Sequence, residues 1–448
     1  MLEPIRLTKS SITQRDYADV RNEFDSDYSR MVLSAPVRRL QDKTQVSPNA
    51  DNDFVRTRLT HSLEVASFAR SMGWSVEFLL HKRRLISNKV YRRHWIPSIL
   101  ETVGLIHDIG NPPYGHVAEK CIMNYFKNIN NLPNTSEVKK KYNQLTDLQR
   151  ADFEHFDGNA HGIRILLSLG ELPYNLTCPT LCSFIKYPYN AIDGCEKDGV
   201  DHTKEKFGYF YSEEELIKEI FTLLNLKENQ RHPLAFLLEA ADDIAYLVCD
   251  IEDGIKVGNI EINDLVNEFK NQRCEEWLNQ YMQQYKEADR DIFLQKLRIN
   301  MQGQMILTCV YSFIENFHDI VNGNYKKDLL EDSSMSNIVK VFKNLDIQNF
   351  KKQTEKEKKG KEAIEYLLNK YTNILCAPNL AELIESDDDV KFITQYISQN
   401  YWDKACEKGQ NVPTDPYKIF LLCTDYIAGM TDTYLLRVYN DIKNHFKE

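Results

Sequence analysis

Ten consecutive residues, His107-Asp108-Ile109-Gly110-Asn111-Pro112-Pro113-Tyr114-Gly115-His116, constrain this chain more than any other stretch. They follow an apolar run, Ile99 to Ile106, that reads as a buried helix within Pro97 to Asp108. Gly110 and the Pro112-Pro113 pair stop that helix. A second histidine, His116, comes at once, and Glu119 stands three residues further on. Titratable groups gathered at the end of a buried element point to chemistry there. The His-Asp pair alone is weak. A second pair, His318-Asp319, lies mid-pattern in Ser312 to Val321 without such surroundings, and is expected at the surface.

The rest of the chain sets the class. Its 448 residues suffice for one large domain or for two to three ordinary ones. The longest clean apolar run, Met305 to Ile314, is about half of what a bilayer requires. The N-terminus, Met-Leu-Glu-Pro-Ile-Arg, has no signal-peptide h-region. Ten scattered cysteines include no Cys-x-x-Cys pair, and Cys178 and Cys182 have no histidine-cysteine cluster around them. Reduced thiols, a cytoplasmic location and no structural zinc are expected. A formal charge of −10 argues against a chain-wide nucleic-acid footprint while leaving room for a local basic pocket.

Taken in order, Met1 to Asp27 is polar and partly irregular, Tyr28 to Ser34 reads as a short helix, and Pro36 interrupts it. A polar loop, Ser47 to Asp53, precedes an amphipathic helix in which Leu59, Leu63, Ala66 and Ala69 recur at helical spacing. His61 falls in its first turns, with Thr57 or Thr60 as cap. Asn128 to Lys141 reads as a surface loop and Asp152 to Leu169 as a helix. Lys186 to Glu213 has no helical period, and is expected to be an irregular insertion, with room for a short hairpin, lying near the site as a lid. Ala235 to Ile255 is a strong helix whose face is Leu237, Leu238, Ala241, Ile244, Ala245 and Val248. The remainder is helical by pattern, and the Lys/Glu-rich Lys351 to Lys361 reads as a solvated face. The fold class is all-α.

His61, His107, Asp108 and Asp242 stand on three such stretches and combine into a candidate metal site. Two imidazoles and two carboxylates suit Mn²⁺, Mg²⁺ or Fe²⁺ better than a structural zinc, and leave octahedral positions for water and a substrate oxygen. Asp242, Tyr246 and Asp250 recur at i, i+4 and i+8, on one helix face, with Asp243 and Glu239 aside. A carboxylate, a phenol and a carboxylate make a poor core stripe and a good platform for a metal, a sugar face and a hydroxyl. Glu119 lies one turn from His116 and can hold its imidazole in orientation. His155 and His161 flank Gly158-Asn159 and are further candidates for the pocket wall.

The order His…His-Asp…Asp is similar to the signature of the HD hydrolase superfamily. Longer strings resemble the bacterial deoxyguanosine triphosphate triphosphohydrolases: Arg38 to Val46, Arg56 to Val65, His107 to His116, Gly158-Asn159-Ala160, Ala241 to Tyr246 and Asp425 to Asp432. The matches run from about Ser34 to about Tyr439. The resemblance implies a single helical domain over 1–448, with an HD catalytic core over 34–260, the insertion at 186–213 and a C-terminal helical extension over 261–448. It implies His61, His107, Asp108 and Asp242 as ligands of one divalent metal, and His116 and Glu119 as a catalytic dyad. Tyr246 matches the aromatic that stacks on deoxyribose and crowds out a 2′-hydroxyl, Asp250 the acid that binds the 3′-hydroxyl, and Gln45 a residue near sugar and base. Arg58, Asn111, Lys186 and Tyr187 match groups that reach the phosphates. The implied reaction is hydrolysis of dGTP, or other dNTPs, to deoxynucleoside and tripolyphosphate by water attack on the α-phosphorus. An HD-type phosphodiesterase or nuclease and a nucleotide-sensing protein are the alternatives. Relatives form homo-oligomers, often hexamers, and some take single-stranded DNA as an activator.

Overall fold

The computed structural model describes residues 1–8, 21–45, 55–170, 174–195, 201–258, 260–274, 276, 278–279, 290–345 and 355–447, and excludes the side chains at 250, 257, 290 and 291. Its regular secondary structure among the described residues is helical, and its only β pairing there is two isolated bridges, Arg6 with Thr177 and Thr44 with Thr57. The all-α reading therefore holds.

The fold is built on the helix Trp95–Ile106, which buries ten of its twelve residues. No single stripe could cover such a surface, so neighbours pack on several sides. The His61 helix, Arg58–Lys82, lies closest along it. Gly104 makes that approach possible: a Cβ there would stand 2.7 Å from the Ala66 Cα. Thr57 caps the His61 helix by accepting from the Thr60 amide, while Thr60 Oγ1 accepts from the Thr57 amide. The long helices Pro233–Val257 and Arg290–Glu315 complete this first apolar core.

A second apolar core forms around the His116 helix, His116–Lys127. Asp147–Glu154 lies against it, as do Glu355–Leu375, Pro416–Ala428 and Asp432–Phe446 from the C-terminal third of the chain. Residues 363–442 thus share their core with residues 114–160. The candidate site lies where the two cores meet.

Several sequence expectations need correction. Tyr28 to Ser34 is the end of a longer helix, Glu23–Val32, and Pro36 opens the next one, Ala35–Arg39, where its missing amide costs nothing. Leu63 faces outward at 49% exposure, while His61, Ser62 and Val65 fill the buried face. The expected loop at 128–141 contains a 3-10 turn, Ile129–Asn131, and a helix, Glu137–Tyr142. Asp152 to Leu169 breaks at His155, and restarts as Gly158–Arg164 and a π turn, Ile165–Leu169. The stretch from 186 to 213 is irregular as expected, with two 3-10 turns, and has no strand pair among its described residues. The helix expected over Ala235 to Ile255 is present, and His318 and Asp319 are exposed. The Ser47 to Asp53 loop lies outside the described residues.

Two glycines test this packing in opposite directions. Gly104→Ala forces the two central helices apart and should destabilise the protein by about 1–3 kcal/mol. Gly303 lies exposed within Arg290–Glu315, and an added Cβ meets nothing within 4 Å. Gly303→Ala should stabilise by about 0.5–1 kcal/mol. The check is the thermal unfolding midpoint, which should fall for the first variant and rise for the second.

Candidate active site and metal centre

Three helices deliver four donor groups to one point. His61 comes from the first turn of Arg58–Lys82, His107 caps the end of Trp95–Ile106, Asp108 follows it, and Asp242 lies midway along Pro233–Val257. His61 Nε2 is 3.2 Å from Asp242 Oδ1. His107 Nε2 is 3.3 Å from the same oxygen and 3.4 Å from Asp108 Oδ1. Among the described residues, His61, His107 and Asp108 form the one group whose ligand atoms could hold a metal ion.

The donor chemistry fits a cation. His107 Nδ1 donates to the Gly104 carbonyl at 2.8 Å, so the Nε2 of a neutral ring carries its lone pair toward the two carboxylates. That Nε2 is buried and makes no hydrogen bond. A lone pair facing carboxylate oxygens is repulsive unless a positive charge, a cation between them or a proton on Nε2 itself, offsets them. Adjacent corners of an octahedral site about 2.1 Å in radius are about 3.0 Å apart, close to the separations seen. The cluster is thus compatible with a divalent metal.

Each carboxylate turns its other oxygen to a fixed cation. Arg58 Nη1 donates to Asp108 Oδ2 at 2.6 Å, and Lys186 Nζ donates to Asp242 Oδ2. Burial opposes ionisation of Asp108, but His107 and Arg58 outweigh it and hold the carboxyl below its usual range. Burial is likewise outweighed at Asp242 by Lys186 and His107. At His107, burial resists the charge that Asp108 and Asp242 favour, and the net effect is upward. Asn111 Nδ2 donates to Asp108 Oδ1, which ties the ligand to its own turn.

His116 stands beside this cluster with its side chain 56% exposed into the cavity. Its Nδ1 lies 2.6 Å from Glu119 Oε2, and Glu119 Oε1 accepts from the Gly158 amide at 2.9 Å. Burial pushes the Glu119 carboxyl up, but the bond to His116 and the nearby Lys206 hold it down at about 2. With Nδ1 so engaged, Nε2 is the atom of His116 left to act in the cavity. The turn leading to it is tight. Tyr114 and Gly115 have φ of 59° and 53°, and a Cβ on Gly115 would stand 2.6 Å from Arg58 Nη2. The Gly158-Asn159 string is explained by similar crowding: Gly110 and Gly158 cross so closely that a Cβ on either would overlap its neighbour.

A cavity of about 590 Å³ joins these groups. Of the expected site residues, Gln45, Arg58, His61, Asp108, Asn111, His116, Glu119, Lys186, Tyr187, Asp242 and Tyr246 line it, and His107 stands behind. Gln45 Oε1 is buried there without a partner among the described residues. The side chain of Asp250 lies outside the described residues; its backbone is two turns beyond Asp242 on the same helix. His155 and His161 are absent from the wall. His155 is exposed, and buried His161 supports the turn from behind through the Gly110 carbonyl at 2.9 Å. Glu239 and Asp243 line the cavity too, so they do not lie aside.

Sequence reasoning missed Lys206, Lys120, Asn124, Glu357 and Lys361, which also line the wall. Lys206 Nζ pairs with Asp157 at 2.9 Å and raises the number of cations at the site. Its signal was a lysine in a stretch of no periodicity. Glu355, Lys356, Lys358, Lys359 and Lys361 are exposed, as the solvated reading expects, while Glu357 and Gly360 are buried; 351–354 lie outside the described residues.

No family model matches the chain. It is 36% identical to the deoxyguanosinetriphosphate triphosphohydrolase-like protein of Listeria innocua, over 98% of this chain and 97% of that one. The protein of the same name from Listeria monocytogenes matches at the same identity and coverage. The deoxyguanosinetriphosphate triphosphohydrolase of Yersinia enterocolitica is 30% identical, over 96% of this chain and 95% of its own. With that identity sustained over nearly the whole of both chains, this protein belongs to the deoxyguanosinetriphosphate triphosphohydrolase family.

Proposed function

We propose that this protein hydrolyses dGTP to deoxyguanosine and intact tripolyphosphate by water attack on the α-phosphorus. The observation that supports this most is the juxtaposition of the His61/His107/Asp108/Asp242 cluster and the His116–Glu119 pair in one cavity. A divalent cation held by that cluster, Mn²⁺, Mg²⁺ or Fe²⁺ by its two nitrogen and two carboxylate donors, supplies Lewis acidity at the α-phosphate. Arg58, Lys186 and Lys206 bring positive charge to the wall where the phosphates bind. Asn111 and Tyr187 complete that side. His116 donates the Nε2 proton to the departing 5′-oxygen, which otherwise leaves as a strongly basic alkoxide. Glu119 keeps the imidazole aimed through Nδ1.

The sugar side separates this reading from a phosphodiesterase or nuclease. Tyr246 lies one turn beyond Asp242 on the cavity wall, suited to stack on a deoxyribose and leave no room for a 2′-hydroxyl. Asp250 takes the 3′-hydroxyl and Gln45 the region between sugar and base. A diester-cleaving enzyme needs no such seat for a terminal 3′-hydroxyl. The deciding experiment is incubation with Mn²⁺ and dGTP. Deoxyguanosine with tripolyphosphate supports the proposal; dGMP, or unchanged dGTP, overturns it.

Three further outcomes follow from the assignments. Asp242→Ala should lose bound metal and activity together while His318→Ala loses neither, read by metal content of the purified proteins. Unchanged metal in Asp242→Ala removes the ligand assignment. Hydrolysis of GTP should be far slower than that of dGTP, and equal initial rates on the two would sink the role of Tyr246. His116→Ala should keep metal and substrate but lose about a hundredfold or more in kcat. That loss should shrink for an α-phosphate ester of an acidic phenol, whose leaving group needs no proton. If His116 only attracts phosphate, the variant instead raises KM for both substrates and spares kcat.

A further inference from the structure

The segment Asp425 to Asp432 resembles the family as a string, but none of its residues lines the cavity. Its last residue nevertheless touches two walls of that cavity at once. One carboxylate oxygen of Asp432 accepts the Thr44 amide at 3.0 Å and the Thr44 hydroxyl. The other accepts the Tyr114 amide at 3.0 Å. Thr44 precedes Gln45, and Tyr114 is two residues before His116. Both Thr44 and Tyr114 are on the cavity wall.

Tyr114 needs holding. It sits in the left-handed region at φ 59°, which a non-glycine residue adopts only when its surroundings impose it. Its amide is fixed by Asp432, and its ring is clasped from the other side by Gly360, where a Cβ would stand 2.6 Å from the ring. The strained turn ends at Gly115, the N-cap of the His116 helix. A neighbouring contact runs in the same direction: buried Lys43 Nζ donates to the Asn111 carbonyl at 2.5 Å and to the Ala428 carbonyl at 3.2 Å. The two segments on either side of the substrate cavity are therefore joined through the chain's last helical pair.

We infer that Asp432 is a positioning residue for hydrolysis, holding the Tyr114-Gly115 turn so that His116 faces the leaving oxygen. This rests on the reading of His116 as proton donor. Asparagine in its place keeps the shape but presents an N–H₂ group where one of the two amides now finds an acceptor.

The experiment is a double-mutant cycle with dGTP as substrate. Asp432→Asn should lower kcat on the order of tenfold to a hundredfold. Its bound metal should match wild type, because Asp432 touches no member of the cluster. In a His116→Ala background the same substitution should cost less than about twofold more, since the group it positions is gone. Thr433→Ala removes a parallel contact to Asp42 Oδ1, 2.8 Å long and exposed, and should leave kcat unchanged. Wild-type kcat in Asp432→Asn, or an equal loss in both backgrounds, overturns the inference. So does a Thr433→Ala loss as large as that of Asp432→Asn, which would make the role merely structural. Should Asp432→Asn not fold, Gly360→Ala disturbs Tyr114 from its other face and is read against the same outcomes. A wild type that leaves dGTP intact overturns the functional reading itself, a result distinct from an active wild type that ignores Asp432.

Discussion

Two imidazoles and two carboxylates face one another across 3.2–3.4 Å in the interior of this protein, and the surrounding structure is arranged to make that tolerable. Buried carboxylates cost several kcal/mol each unless they are paired and fully hydrogen-bonded. Here each spends one oxygen on a cation, Arg58 for Asp108 and Lys186 for Asp242, and turns the other toward the imidazoles. The outer cations come from separate elements, the start of the His61 helix and the irregular segment after Phe184. The cluster therefore forms only when the central helices and that segment are in place together. Holding the donors apart before any ligand arrives spares the reaction the reorganisation that a flexible site would need.

The second apolar core supplies what the first cannot. The four clustered donors belong to helices of the first core or their ends, whereas His116 and Glu119 start a helix buried in the second. The His116–Glu119 pair and the cluster are thus placed independently and brought to register where the two cores touch. Arg164 strengthens that seam with paired bonds to Asp425 at 2.7–2.9 Å and a bond to Glu213 at 2.9 Å, all within the interior. His161, between Gly110 and Asp425, connects the same network to the turn that carries Asp108. Removing one member of such a network leaves the others buried and unpaired, so its cost exceeds that of one bond.

What was legible in the sequence follows the range of the physics involved. The helix Trp95–Ile106 and the helix Pro233–Val257 were readable because burial on several sides leaves a dense apolar pattern. His107, Asp108, His116 and Glu119 stand close together in the chain, so local spacing alone placed them together. His61 and Asp242 were joined to that pair by their donor chemistry, with the family strings in support, since nothing local says that they meet. Leu63 was misread because the buried stripe of its helix is formed by small and polar residues, His61, Ser62 and Ala66, that a hydrophobic count passes over. Pro36 was misread because a proline that opens a helix and one that breaks it are the same letter. Lys206 and Glu357 were missed for a different reason: a charged residue in an aperiodic or highly charged stretch carries no pattern, and only tertiary packing decides that it faces a cavity.

The division of labour between the two carboxylate environments is the last step. Asp108 and Asp242 are held ionised by cations and by imidazoles that lie within a few ångströms, which is what a metal ligand requires. Glu119 is held ionised in another way, by one imidazole and one backbone amide, with Lys206 at longer range. Held down at about 2, it keeps its charge at neutral pH. Its stabilising effect is present above the ordinary carboxyl value and fades only as pH falls toward about 2. The imidazole is the more exposed member of the pair, its side chain 56% exposed against 7% for that of Glu119. The same fold thus builds two anionic settings on one cavity, the Asp108–Asp242 cluster and the Glu119 carboxylate that holds His116, from three carboxylates that differ only in what surrounds them.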